Sequence, residues 1–202
     1  MCSWCYAFKA VLQQLRQQLP EDIEFITILG GLAPDTDEPM PIELQQQLQS
    51  TWQRIEQKVP GIHFNYDFWS KCHPRRSTYP ACRAVIAAHS FDKTVEEHGY
   101  EELMIEAIQY AYYQYAQNPS DNGTLINLAK QIGLDEKSFQ SALYSEQTQV
   151  ELDRQIAMSR QLNARSYPSF ILKIGEGLWP IGIDYLSSEA MLESINLLLE
   201  FE

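Results

Sequence analysis

Cys2-Ser3-Trp4-Cys5, followed directly by Tyr6-Ala7-Phe8-Lys9-Ala10-Val11-Leu12-Gln13-Gln14-Leu15, is the stretch that orients the reading of the whole chain. From Trp4 to Leu19 the apolar residues Phe8, Val11, Leu12 and Leu15 recur at helical spacing, and Pro20 closes the run, so a helix is expected to begin at the cysteine pair. Two cysteines three positions apart share one helix face, with Cβ atoms about 5–6 Å from each other, close enough for a disulfide after modest rearrangement. A thiol at a helix start lies beside unpaired backbone N–H groups, which favour the thiolate and can bring its pKa to roughly 3.5–7.5. Cys2 is therefore the candidate attacking thiolate and Cys5, one turn inside, the candidate resolving thiol.

Outward from this helix, Ile23 to Leu29 is a β-branched and aromatic run ended by Gly30-Gly31 and reads as a buried strand. Ala33 to Pro41, with its prolines and acids, reads as a loop. From there to Asn163 the periodic segments are helical: Leu44 to Val59, Pro80 to His98, Tyr100 to Gln117, Thr124 to Ile132, Glu136 to Tyr144 and Glu146 to Leu162. His63 to Tyr79 has no clean period, and its aromatics Phe64, Tyr66, Phe68 and Trp69 suggest a packed loop. Ser169 to Ile174 and Leu178 to Ile183 read as two strands around Gly175-Glu176-Gly177, and Ser188 to Leu199 as a last helix. The expected architecture is α/β, a sheet domain interrupted by a large all-helical insertion. Residues 1–40 and 164–202 form its two parts, and 41–163 the insert.

Composition narrows the function. The chain of 202 residues is 45% hydrophobic, which is enough for a full core. Asp and Glu number 27 against 15 Lys and Arg, a net charge of -12 that repels phosphate backbones and anionic lipid, so nucleic acid and membrane partners are not expected. Neither a spanning run of ~18 apolar residues nor a signal-peptide pattern is found, and the expected location is cytoplasmic. Four cysteines are too sparse for a disulfide scaffold. The competing reading of Cys2 and Cys5 is half a zinc site completed by Cys72, His73 or Cys82, whose spacing fits no regular zinc pattern. Cys82, among Ala81, Ala84, Val85 and Ala88, reads as a small buried apolar residue. Cys72, near Arg75 and Arg76, is a candidate exposed thiol. None of His63, His73, His89 and His98 is placed near a nucleophile. No cofactor and no metal are called for.

Ser166-Tyr167-Pro168 leads into the strand at Ser169, where a proline is tolerated because its missing N–H need not join a ladder. Taken together, Cys2-Ser3-Trp4-Cys5 with Tyr6 and Phe8, Gly30-Gly31-Leu32, Pro80-Ala81-Cys82-Arg83-Ala84 and Ser166-Tyr167-Pro168-Ser169-Phe170 resemble the DsbA-like family of thioredoxin-fold proteins, closest to its FrnE-like and protein-disulfide isomerase branch. The resemblance covers nearly the whole chain. It implies a thioredoxin-like fold, a cis Tyr167–Pro168 bond beside the cysteine pair, and substrate contacts from Tyr167 and Pro168; Trp4 is expected at the apolar rim of the site. The departure is at the front. The family has a strand before its Cys-x-x-Cys and this sequence has none, so an upstream piece is expected to precede Met1.

The function expected on these grounds is thiol-disulfide exchange with protein or small thiol and disulfide substrates, glutathione among them. The rivals are a glutathione-dependent transferase or isomerase of the kappa-class-like branch, against which two cysteines argue, and a redox-inactive module that binds extended peptides in the groove above Pro168. Ser3 and Trp4 carry no charge that would set the redox direction.

Overall fold

The computed structural model describes residues 1–92 and 99–200. The expected single helix at the front forms as two, α1 (Ser3–Ala7) and α2 (Lys9–Gln18), joined at Phe8. The Phe8 N–H is shared between the Trp4 and Tyr6 carbonyls, which tightens the junction. The Phe8 ring is almost wholly buried against Phe170 and Tyr185, at centroid distances of 5.3 and 6.0 Å. Packing thus pins the one residue at which the helix breaks.

Ile23 to Leu29 departs from expectation. It is not a strand, and no ladder bond joins it to another segment among the described residues. Hydrophobic patterning gives a run its burial, but a strand exists only with a backbone partner alongside. Here the Leu29 N–H is bonded to the Gln155 side chain at 2.8 Å, and the Phe25 ring meets Phe170 at 6.0 Å. Side chains bridge where main chains do not.

Then follow α3 (Ile42–Lys58), a four-residue α4 (Phe68–Lys71), α5 (Tyr79–His89), α6 (Tyr100–Tyr113), α7 (Asn122–Gln131), α8 (Glu136–Leu143) and α9 (Glu146–Gln161). The packed loop expected over His63 to Tyr79 contains the short α4 and is otherwise irregular. The helix expected over Pro80 to His98 stops at His89; its last part, residues 93–98, lies outside the described residues. Just beyond the stop, the Asp92 carboxylate accepts the Tyr100 N–H and thereby caps α6. The helix expected to reach Gln117 ends at Tyr113, because Ala116 takes a positive φ of 52° and the Gln117 N–H turns back to the Ala111 carbonyl. Side-chain caps fix the starts of α8 and α9, where Asp135 accepts the Ser138 N–H at 2.9 Å and Ser145 the Thr148 N–H at 3.2 Å.

After α9 the chain forms an antiparallel hairpin of β1 (Phe170–Ile174) and β2 (Gly177–Ile181), with Phe170 opposite Ile181 and Ile174 opposite Gly177. Gly175 opens the two-residue turn at φ 54°. Phe170, Leu172 and Ile181 pack on Phe8, Val11 and Leu15 and on Met191 and Ile195 of α10 (Glu189–Glu200). A second cluster surrounds Trp52 of α3, with Tyr6, Phe64, Phe68, Tyr112 and Tyr113. A third, mostly helical, joins α5 to α6, α7 and α8 through Ala84, Met104, Ile108, Leu125 and Phe139. Among the described residues no helix is long and apolar enough to cross a membrane.

Candidate active site

Cys2 is the N-cap of α1. Its sulfur accepts the Cys5 N–H at 3.4 Å, while the thiol form donates to the Tyr167 carbonyl at 3.1 Å. On ionisation the sulfur keeps the first partner and gives up the second. The Cys2 pKa is lowered to about 7, chiefly by the facing Cys5 side chain, with the backbone N–H groups of Cys5 and Trp4 also contributing and burial opposing. Cys5 is pushed well above the ordinary thiol value, first by Cys2 and then by burial. The pair is thereby split into one thiol that ionises near neutrality and one that holds its proton.

Tyr167–Pro168 is a cis peptide, placed so that the Tyr167 carbonyl meets Cys2. The Tyr167 hydroxyl donates to the Gly30 carbonyl at 2.9 Å, tying this loop to the turn that follows residues 23–29. A Cβ on Gly30 would lie 2.1 Å from the Tyr167 ring, so the close approach requires glycine. Trp4, Tyr167 and Pro168 line one groove of about 570 Å³. The structure thus brings together all five residues that the sequence singles out.

Two further side chains at this groove were not visible in the sequence. Tyr185, in the segment after β2, has its ring centroid 4.8 Å from Trp4, and Lys58, the last residue of α3, places its ammonium 5.6 Å from the Trp4 centroid and 5.3 Å from that of Tyr185. Neither belongs to a motif, and only chain folding over more than fifty residues brings them to Trp4. The Tyr185 hydroxyl is pushed up to about 12, by burial first and by the nearby cysteines second.

The other two cysteines have surroundings of their own. Cys72, the candidate exposed thiol, is half-buried: its thiol donates to the Ala116 carbonyl at 3.0 Å, and burial pushes its pKa up. Cys82 packs beside Ile86, Leu152 and Ile156, and burial raises it too. Cys72, His73 and Cys82 do not gather with Cys2 and Cys5, and among the described residues no three His, Cys, Asp or Glu side chains are grouped to hold a metal. His98 lies outside the described residues.

Comparison with known proteins gives the family: the model for the DSBA-like thioredoxin domain matches residues 1–188. The chain belongs to this family. Solved structures similar to this DSBA-like chain include a candidate protein disulfide isomerase of Nitrosomonas europaea, 22% identical, with a TM-score of 0.81 over 100% of this chain and 94% of that one. The cytosolic disulfide reductase DsbM of Pseudomonas aeruginosa is 20% identical, with a TM-score of 0.73 over 100% and 96% of the two chains, and a structure of DsbM with GSH gives 0.71 at 21% identity over 99% and 95%. By sequence, the uncharacterised YwbO of Bacillus subtilis is 24% identical over 177 residues, 85% of this chain and 82% of that protein. The thioredoxin-like fold with its helical insertion therefore holds for this DSBA-like protein, although the described sheet has two strands.

Proposed function

We propose that the protein is a thiol-disulfide oxidoreductase that works through Cys2 and Cys5. The observation that carries this reading is the divided pair: a Cys2 sulfur held at a helix start by the Cys5 N–H, ionising near neutrality, with a protonated Cys5 behind it. In the reducing direction the Cys2 thiolate attacks one sulfur of a substrate disulfide. The substrate S–S bond breaks, one substrate thiolate leaves and takes up a proton, and Cys2 is joined to the other half. Cys5 then loses its proton and attacks the Cys2 sulfur, which releases the second substrate thiol and closes the Cys2–Cys5 disulfide. Two electrons pass from the protein dithiol to the substrate, and the oxidising direction is the same sequence in reverse. The raised pKa of Cys5 suits its place in the order, because it stays unreactive until the mixed disulfide has consumed the Cys2 charge.

Trp4, Tyr167 and Pro168 form the substrate side of this reading, as they line one groove and the Tyr167 carbonyl meets the Cys2 sulfur. Protein or small thiol and disulfide substrates fit it, glutathione included; DsbM, a disulfide reductase that shares the fold, has a solved structure with GSH. The cytoplasmic location expected from the sequence belongs to the same proposal, supported by the cytosolic DsbM.

The test is a pair of variants. Cys2→Ser is expected to abolish exchange, and Cys5→Ser to attack a disulfide substrate once and remain joined to it, detected as a mixed disulfide by intact-protein mass spectrometry. Substantial turnover by Cys2→Ser would overturn the assignment of the nucleophile.

A further inference from the structure

We propose that Lys58 selects substrates by charge: its ammonium, held over the Trp4 and Tyr185 rings at the groove beside Cys2, receives a carboxylate of a small anionic disulfide of the glutathione type. The proposal rests on the oxidoreductase reading and narrows it. Lys58 is the one charged side chain among the described residues that line the groove, and no carboxylate lines it. The setting is a chain with 27 acidic residues and a net charge of -12, whose field at a distance repels anions. A local cation must offset that field if an anionic substrate is to reach Cys2.

The placement of Lys58 favours this use over a structural one. Its ammonium pairs with no carboxylate and bonds no helix carbonyl among the described residues, so it is neither half of an ion pair nor a C-terminal cap of α3. Instead it sits 5.6 and 5.3 Å from the two aromatic centroids. Cation–π contact of this kind holds the flexible stem while leaving N–H donors free, which lowers the entropy lost when an anion binds. The same groove is lined by Tyr167, whose carbonyl meets the Cys2 sulfur at 3.1 Å, so a carboxylate on Lys58 would anchor a substrate in the groove that leads to that sulfur. Lys58 is absent from the causes that lower the Cys2 pKa, so its charge can be removed without altering the nucleophile through that route.

The experiment measures second-order rate constants for the reduced protein, in single turnover, with three disulfides: oxidised glutathione, which is anionic; bis(2-hydroxyethyl) disulfide, which is neutral; and cystamine, which is cationic. The readout is each charged substrate's rate relative to the neutral one, a ratio that cancels any change in folded fraction or thiol reactivity. In Lys58→Gln the glutathione ratio is expected to fall about threefold or more and the cystamine ratio to rise, with both trends larger in Lys58→Glu and absent in Lys58→Arg. Added salt screens the Lys58 charge, so the difference in glutathione ratio between the wild type and Lys58→Gln should shrink as ionic strength rises. Unchanged ratios in Lys58→Gln, including an equal fall with all three substrates, would overturn the proposal. A wild-type protein whose reduced Cys2 and Cys5 react with none of the three would overturn the oxidoreductase reading itself, an outcome distinct from the first.

Discussion

At Cys2 the decisive quantity is a competition between two environments. Burial favours the neutral thiol, whereas the facing Cys5 side chain and the N–H groups of the first helical turn favour the thiolate, and the second set prevails to bring the pKa to about 7. Since only the thiolate reacts, alkylation of Cys2 is expected to be fast above neutrality and to decline tenfold per pH unit as pH falls below about 7. The check is iodoacetamide labelling against pH in a protein with Cys72 and Cys82 replaced by Ser, read at Cys2 by peptide mass spectrometry. A midpoint near the ~8.5 of an unperturbed thiol would mean that the helix start confers no activation. Replacing Cys5 by Ser removes the largest single influence on this value, so the Cys2 midpoint should move upward in that variant.

At the level of elements, the site is the meeting of three segments: the start of α1, the Gly30 turn and the loop before β1. Only the first carries the two cysteine sulfurs, but the other two hold the Tyr167 carbonyl against Cys2 through the hydrogen bond from the Tyr167 hydroxyl to Gly30. Gly30→Ala places a methyl group where the Tyr167 ring stands, 2.1 Å from its nearest atoms. The ring must move, and overpacking of this kind costs about 1–3 kcal/mol. The variant is therefore expected to melt several degrees lower and to exchange disulfides more slowly, with the alkylation midpoint of Cys2 changed as well. An unaltered melting temperature together with unaltered exchange would show that the Tyr167 ring does not depend on the Gly30 turn for its place.

Across the whole molecule, the cysteine helix is fastened to the helical block through aromatic packing. Trp52 of α3 is 1% exposed and meets Phe64 at 4.8 Å, Trp69 at 5.0 Å and Tyr113 at 5.7 Å, while Tyr6 of α1 stacks on Tyr113 at 4.7 Å. The same α3 delivers Lys58 to the groove. Loss of Trp52 would thus loosen both the core and the approach to the site. Trp52→Ala is expected to lower unfolding free energy by about 3–5 kcal/mol, measured by urea denaturation, a large share of a typical domain's stability. A change below about 1 kcal/mol would place the structural weight of this cluster elsewhere.

What the sequence by itself determined was local. Helical periodicity located the described helices longer than two turns to within a few residues wherever the turn signals were also local, as with α8 and α9, and the hairpin at Gly175 was equally legible. The spacing of Cys2 and Cys5 determined that they would share a helix start, since three residues along an α-helix return to the same face. Where the outcome depended on a remote partner, local reading fell short: Ile23 to Leu29 has a strand's composition but no neighbouring backbone to pair with among the described residues, and α1 gives way to α2 where Phe8 is seized by Phe170 and Tyr185. The tertiary structure alone decided that Tyr167, 165 residues along the chain from Cys2, would set its carbonyl against that sulfur, and that Tyr185 and Lys58 would close around Trp4. The physical reason is one of range: dihedral preference and side-chain periodicity act over a few residues, whereas hydrogen bonds, ring contacts and fields act through space and link whatever residues the packed chain brings within a few ångströms of each other.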